Sequence, residues 1–361
     1  MVSIVPSYST SCSATKLIAM MRRLTVVLVL LWLGAYPGTA CSSSGSPTAP
    51  SAPPADFAAQ FDSLWSTFDR EYSYFVYKQI DWNAIREAFR PRAIGATDQL
   101  AFIGVIREML GRLHDLHVVL RNPGGASLAT YDPQYFVNWD RSVWQQYIGR
   151  ANWTQGQGEW GYGVLDGVPY IAIQGWSTTS IRAADFDAAF ERFRSAPMLI
   201  LDVRMNGGGG DQPAFEVAGR FAPTSVVTGY VRYRSGPSHA DFGPPINRVL
   251  NPRGAWQYAG RVLLLIGRRS ASSNESFIAA MRHLPNVTLV GDQTAGSSAS
   301  PATFPLASGW TYTVSRWIEY TADGQVIEDV GISPHVFVPT AAGDFAQGRD
   351  PVLDWALNAR L

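Results

Sequence analysis

Apolar residues recur at three- and four-residue steps along the front of the chain. Phe57, Phe61, Leu64, Trp65 and Phe68 form one set, Ile85 and Phe89 a second, and Phe102, Ile106, Met109, Leu110 and Leu113 a third. This spacing places each set on one helical face and predicts helices from residue 56 to about 113. Thr97, before Asp98, is expected to cap the helix carrying Phe102. Beyond this region the apolar runs become short and are bounded by glycine and proline. They predict strands over 164–173, 198–203, 226–234, 262–266 and 287–290, and strand-rich stretches over 310–320 and 325–338. Helical spacing lies between them at 181–193, 212–221 and 275–284, and again at 350–361. Strands alternating with helices behind a helical front indicate an α/β (α+β) layer fold.

Ahead of this pattern, Arg22 and Arg23 precede an apolar run over 24–35, followed by Tyr36-Pro37-Gly38-Thr39-Ala40-Cys41. A basic start, an apolar stretch and small residues before a cut predict an export signal over 1–41. The run is shorter than the ~20 residues that span a bilayer. Gly38 to Cys41 resembles a bacterial lipobox, with Gly38 where leucine is usual. Either Cys41 is lipidated and anchors the product at the cell envelope, on its periplasmic or extracellular face, or ordinary cleavage releases a soluble protein. Residues 42–55 contain only Ser, Pro, Gly, Thr and Ala and read as a tether. The helical front is then expected to be a subdomain over 56–115.

Composition narrows the chemistry. The 361 residues are 46% hydrophobic and 16% charged, enough for a sizeable core. Lys+Arg and Asp+Glu are both 29, which gives no basic excess for nucleic-acid binding. The two cysteines, Cys12 and Cys41, exclude a disulfide framework and a four-cysteine metal site. Lys16 and Lys78 are the only lysines, so a catalytic lysine has few candidates.

Four segments carry chemistry. In Leu113-His114-Asp115-Leu116-His117, the histidines stand at i and i+3. They could share a metal, sit as satisfied surface or core groups, or supply a general base. No third metal ligand is signalled. The 198–203 strand runs into Asn206-Gly207-Gly208-Gly209-Gly210, which reads as a mobile turn or as a loop whose amides reach an oxyanion. It lacks the residues of a phosphate loop or a dinucleotide fingerprint. Ser272-Ser273-Asn274-Glu275 opens a helix, and Ser272 with Glu275 fits a capping box. A serine there is also favoured as a nucleophile by the helix dipole. Glu328-Asp329-Val330-Gly331 by itself reads as a turn.

In this order the segments resemble the tail-specific, or C-terminal-processing, serine proteases and their tricorn-core and retinoid-binding-protein relatives. The resemblance spans roughly residues 60–357. It rests on Asp81-Trp82; Leu113, Asp115 and His117; Asp202, Arg204, Asn206, Gly208 and Gly209; Ser272 to Glu275; Val290-Gly291 with Thr294 and Gly296; and Glu328, Gly331, Ile332 and Pro334. It implies a crotonase-like α/β spiral core over 116–361 and a serine-type endopeptidase that needs no metal or cofactor. Ser272 would be the nucleophile and His117 the base, with Glu328 orienting His117 directly or through a neighbouring polar side chain. Amides of Gly207, Gly208, Gly209 and Ser273 would hold the oxyanion, and Asp115, Asn206 and Ser297 would support the site. The partner would be a peptide or protein, with the membrane met only through the anchor. Ser297 stands where many members carry a catalytic lysine. Lys78 is therefore expected to be dispensable, its loss changing hydrolysis only a few-fold. The stretch between His117 and residue 164 is too short for the PDZ domain that many members insert. The retinoid-binding relatives imply an alternative, a non-catalytic carrier of apolar ligands. Trp139, Trp144, Tyr147, Trp153 and Trp160 could line its groove or simply pack a core.

Overall fold

A computed structural model describes residues 56–359, which belong to one compact unit. The signal, the lipobox-like Cys41 and the tether lie outside the described residues.

Three helices open the unit: α1 (Phe57–Glu71), α2 (Trp82–Ile94) and α3 (Gln99–Gly111). An aspartate begins each one. Asp56, Asp81 and Asp98 accept from the amides of Ala59, Ala84 and Ala101, each at 2.9 Å. The cap of α3 is thus Asp98 and not Thr97, because its carboxylate reaches the amide three residues on. Hairpin strands β1 (Val119–Arg121) and β2 (Ser127–Ala129) follow, then α4 (Arg141–Ile148) and β3 (Thr154–Gln155).

The expected strand over 164–173 is instead the C-terminal part of a hairpin, β4 (Trp160–Leu165) and β5 (Val168–Ile173). Asp166 and Gly167 turn it with φ of 48° and 86°. Positive φ at both central residues suits an Asp-Gly turn joining right-twisted strands.

Next come α5 (Asp187–Phe193), β6 (Met198–Asp202), α6 (Asp211–Ala218), β7 (Val226–Tyr233), β8 (Ile246–Leu250), β9 (Arg261–Ile266), α7 (Ser273–Arg282) and β10 (Val287–Gly291). The chain continues through β11 (Pro301–Pro305), β12 (Thr311–Ser315), β13 (Trp317–Thr321), β14 (Val336–Phe337), α8 (Ala342–Ala346) and α9 (Pro351–Asn358).

The main sheet has the order β14-β10-β9-β6-β5-β4-β3, parallel from β5 through β14. Successive residues of its central strands point to opposite faces. Leu199, Leu201, Val262 and Leu264 pack with α5, α6 and α7. Met198, Ile200, Leu263 and Leu265 pack with α4 and α9. Burial on both faces explains why these strands read as continuous apolar runs. The helical front buries Phe61, Phe68, Phe102 and Met109 against Leu120, Tyr312 and Val314, so it shares its core with β1 and β12.

Trp139, Trp144, Tyr147 and Trp160 are buried in these cores, and Trp153 packs on one of them. Core packing therefore accounts for the aromatic run.

At the end of β6, Arg204 pairs with Asp202 at 2.7 Å and with Asp350, which opens α9, at 2.8 Å. It also donates to the Asn138 carbonyl at 3.0 Å. All three charged side chains are buried, which fixes the point where β6 gives way to the glycine loop.

Candidate active site

Ser272 precedes α7 but does not cap it. Its φ is 59° and ψ −134°, and its side chain makes no cap hydrogen bond. Oγ instead lies 2.9 Å from His117 Nε2. The capping-box expectation fails because Glu275, the other half of the box, is engaged elsewhere. Its buried carboxylate accepts from Thr294 Oγ1 at 2.5 Å and from the amides of Gly296 and Ser297 at 2.9 and 2.7 Å. Glu275 thereby fastens the 294–297 loop to α7. Burial pushes its carboxyl up to about 8, against the pull of those donors. The Ser272 amide donates to the Ser297 carbonyl at 2.8 Å, closing the same loop onto the nucleophile.

His117 leaves α3 through a tight turn. Its amide donates to Asp115 Oδ1 at 2.8 Å, and Ser315 Oγ donates to Asp115 Oδ2 at 2.8 Å. Its carbonyl accepts from Thr313 Oγ1 at 2.5 Å. The ring is held from its other side by Ser297 Oγ, 3.0 Å from Nδ1, with Asp115 Oδ1 at 4.0 Å. When Nε2 accepts from Ser272, Nδ1 carries the proton and donates to Ser297. Burial lowers the His117 pKa below its ordinary 6.5; the Asp115 carboxylate opposes this and the Lys78 ammonium adds to it. The ring is thus neutral, as a base must be. His114 takes no part in a metal pair: its ring stacks on Tyr131 at 4.9 Å, and its backbone is left-handed with φ 49°.

The glycine loop passes directly under the nucleophile. Gly208 has φ 105°, and a Cβ there would lie 2.6 Å from Ser272 Cβ and 2.9 Å from the Ala271 carbonyl oxygen. Only glycine fits so close an approach at that φ. Its amide is not available to an oxyanion, however, because it donates to Asn206 Oδ1 at 2.9 Å. Among the described residues, the amides of Gly207, Gly209 and Ser273 have no acceptor, and these are the candidate donors. Ser273 Oγ donates to the Gly209 carbonyl at 2.8 Å, joining loop to helix.

Glu328 does not touch His117, so of its two expected routes, directly or through a neighbouring polar side chain, the direct one is absent. Its Oε1 meets Lys78 Nζ at 2.8 Å, and its Oε2 accepts from the Ser298 amide at 3.0 Å. Ser297, one residue earlier, makes the contact with the ring. The Lys78 side chain, which the sequence predicts to be dispensable, is 5% exposed and also reaches Asp329 at 2.8 Å. It bonds no atom of Ser272, so it is not the base. Ser298, Ser315 and Thr313 also belong to the site's frame. No local pattern marks them, because each acts on a partner at least 30 residues away.

A recess of about 290 Å³ opens at the nucleophile, and one of about 480 Å³ borders the start of the glycine loop. The first is lined by Gly209, Ser272, Ser273 and Ser298, the second by Leu116, Gly207 and Ala271.

Residues 167–338 match peptidase family S41, and residues 53–111 match the tricorn protease C1 domain. The carboxy-terminal processing protease CtpA of Bacillus subtilis (strain 168) is 28% identical over 161 residues, 44% of this chain and 32% of that protein. The tricorn protease of Thermoplasma acidophilum is 25% identical over 166 residues, 45% of this chain and 14% of that protein. This chain thus covers a minor share of either relative's length. Among solved structures, a candidate peptidase of Parabacteroides merdae ATCC 43184 superimposes with a TM-score of 0.76 at 27% identity, covering 84% of this chain and 98% of that one. Mature CPAF superimposes with a TM-score of 0.65 at 13% identity, covering 84% and 95%, a likeness of fold.

Proposed function

From the premise that this chain belongs to the tail-specific protease family, with its peptidase family S41 domain, we propose that it is an exported serine endopeptidase. The observation that carries this reading is the 2.9 Å contact between Ser272 Oγ and His117 Nε2.

Ser272 Oγ attacks the scissile carbonyl carbon as His117 Nε2 takes its proton. The carbonyl oxygen becomes an oxyanion, which amides of Gly207, Gly209 and Ser273 can meet. One such donor is worth roughly 3 kcal/mol in the transition state. The C–N bond then breaks, and His117 returns the proton to the leaving amine. Water, deprotonated by His117, attacks the resulting ester and releases the new carboxylate and free Ser272. Ser297 holds the imidazolium that forms in each half, with Asp115 nearby and Glu328 acting through the Ser298 amide. Room for substrate is offered by the recess that Ser272 lines and by the one along Gly207 and Ala271.

A fluorophosphonate probe tests the reading. The wild-type protein should label at Ser272, and Ser272→Ala and His117→Ala should each remove labelling while the fold persists. No labelling of folded wild type would overturn it and favour the non-catalytic carrier. Export, with an anchor at Cys41, rests on the basic, apolar and small-residue pattern of residues 22–41. Wild type should partition with detergent and Cys41→Ser with the aqueous phase; identical partitioning would leave a cleaved, soluble product.

A further inference from the structure

Lys78 is the single lysine after residue 55. Its ammonium donates to Glu328 Oε1 and Asp329 Oδ1, each at 2.8 Å, and to the His114 carbonyl at 3.0 Å. Three acceptors match its three protons. Burial alone would lower its pKa, but the carboxylates of Glu328 and Asp115 outweigh that and raise it, so the ammonium persists. The ring of Tyr74 lies 5.6 Å away, and the Tyr77 hydroxyl donates to the Glu328 carbonyl. Lys78 itself sits on the α1–α2 connection, outside the peptidase core.

Its acceptors lie on the two segments that mount the imidazole. His114 begins the turn that ends at His117. Glu328 holds the Ser298 amide at 3.0 Å, next to Ser297, whose Oγ meets His117 Nδ1. Both His114 and Asp329 are left-handed, with φ of 49° and 63°. Such conformations persist only where surrounding contacts impose them, and the same ammonium bonds both residues.

We propose that Lys78 is a positioning residue for the reaction. From the helical front it ties the 114–117 turn to the 297–298 segment, so that His117 stays aligned on Ser272. This rests on the peptidase reading above. The groups facing this junction are Asp115, Glu328 and Asp329 as carboxylates, Tyr72, Tyr74 and Tyr77 as phenols, and His117 itself.

The test compares full-length wild type, Lys78→Met and the double variant Lys78→Met/Glu328→Gln. Each is assayed for thermal denaturation and for saturating fluorophosphonate labelling across pH. In Lys78→Met the maximal labelling rate should fall about 10²-fold, with the half-saturating concentration changed less than about threefold, as for a misaligned base. Its acid limb should also move to higher pH, because Lys78 is one of the charges holding His117 low. The double variant removes the unpaired carboxylate. It should regain thermal stability but not the labelling rate, because nothing then spans the two segments. Recovery of both would make Lys78 purely structural and overturn the proposal, as would a Lys78→Met protein with the wild-type rate and limb. Folded wild type that fails to label would overturn the peptidase reading and this one together. Normal wild-type labelling alongside unaffected variants overturns this one alone.

Discussion

Ser272 holds a backbone that glycine would adopt more readily. Its φ of 59° and ψ of −134° cost on the order of 1–3 kcal/mol for a residue with a Cβ. Its side chain gives nothing back to the helix, since it makes no cap bond. Ser272→Gly should therefore abolish labelling and raise stability by about 1 kcal/mol, seen as an increase in Tm. A lower Tm would mean that the bond to His117 contributes more than the strain costs. His117 makes a second point. Its pKa is depressed in the folded protein, so it binds fewer protons folded than unfolded near neutrality. Its contribution to stability is present above its ordinary 6.5 and is lost as pH falls. The acid limb of activity, which requires neutral His117, should have its midpoint below 6.5 in a pH profile of kcat/KM.

Elements were legible in the sequence where one periodicity governed them. The α1–α3 stripes and the apolar runs of β6, β9 and β10 were read nearly to the residue, because burial of one face or both dictates the pattern. The β4–β5 hairpin is hidden in the pattern: apolar residues stand close on both sides of Asp166-Gly167, so two strands read as one. Of the site, Ser272, His117 and the glycine loop were readable because each sits in a short motif. Glu275 misled, since the spacing of a capping box says nothing about the loop at 294–297 that its carboxylate actually holds. Lys78 could not be found, because its carboxylate partners lie 250 and 251 residues away. The glycine loop gives a paired prediction. Gly208→Ala places a methyl 2.6 Å from Ser272 Cβ at φ 105°, so it should cost several kcal/mol and most activity. Gly207→Ala meets nothing within 4 Å and should stay within about 0.5 kcal/mol of wild type. Thermal denaturation of the two variants side by side checks this, and equal losses would contradict the packing described.

At the scale of the whole molecule, the site draws on almost the full described length. Lys78 comes from the front, Ser272 and Ser297 from the core, and Asp350, beneath the glycine loop, from the start of the last helix. Asp350 caps α9 through the Leu353 amide at 3.0 Å and faces Arg204 at 2.8 Å. Removing one member of a buried ionic group leaves a charge uncompensated, which costs about 3–5 kcal/mol. Asp350→Ala should show that loss in a urea titration, along with weaker Ser272 labelling. Normal labelling at reduced stability would uncouple the Ser272–His117 pair from the loop.

The position of Asp350 also has a consequence for folding. Its carboxylate meets Arg204 across 146 residues of chain, and a contact that closes so long a loop costs entropy that neighbouring contacts do not. The ion cluster is therefore expected to form late, after the strands and the first helices have assembled around it. Removing Asp350 should then speed unfolding far more than it slows refolding, so the buried carboxylate acts less as a guide for the chain than as a latch that closes once the chain is in place.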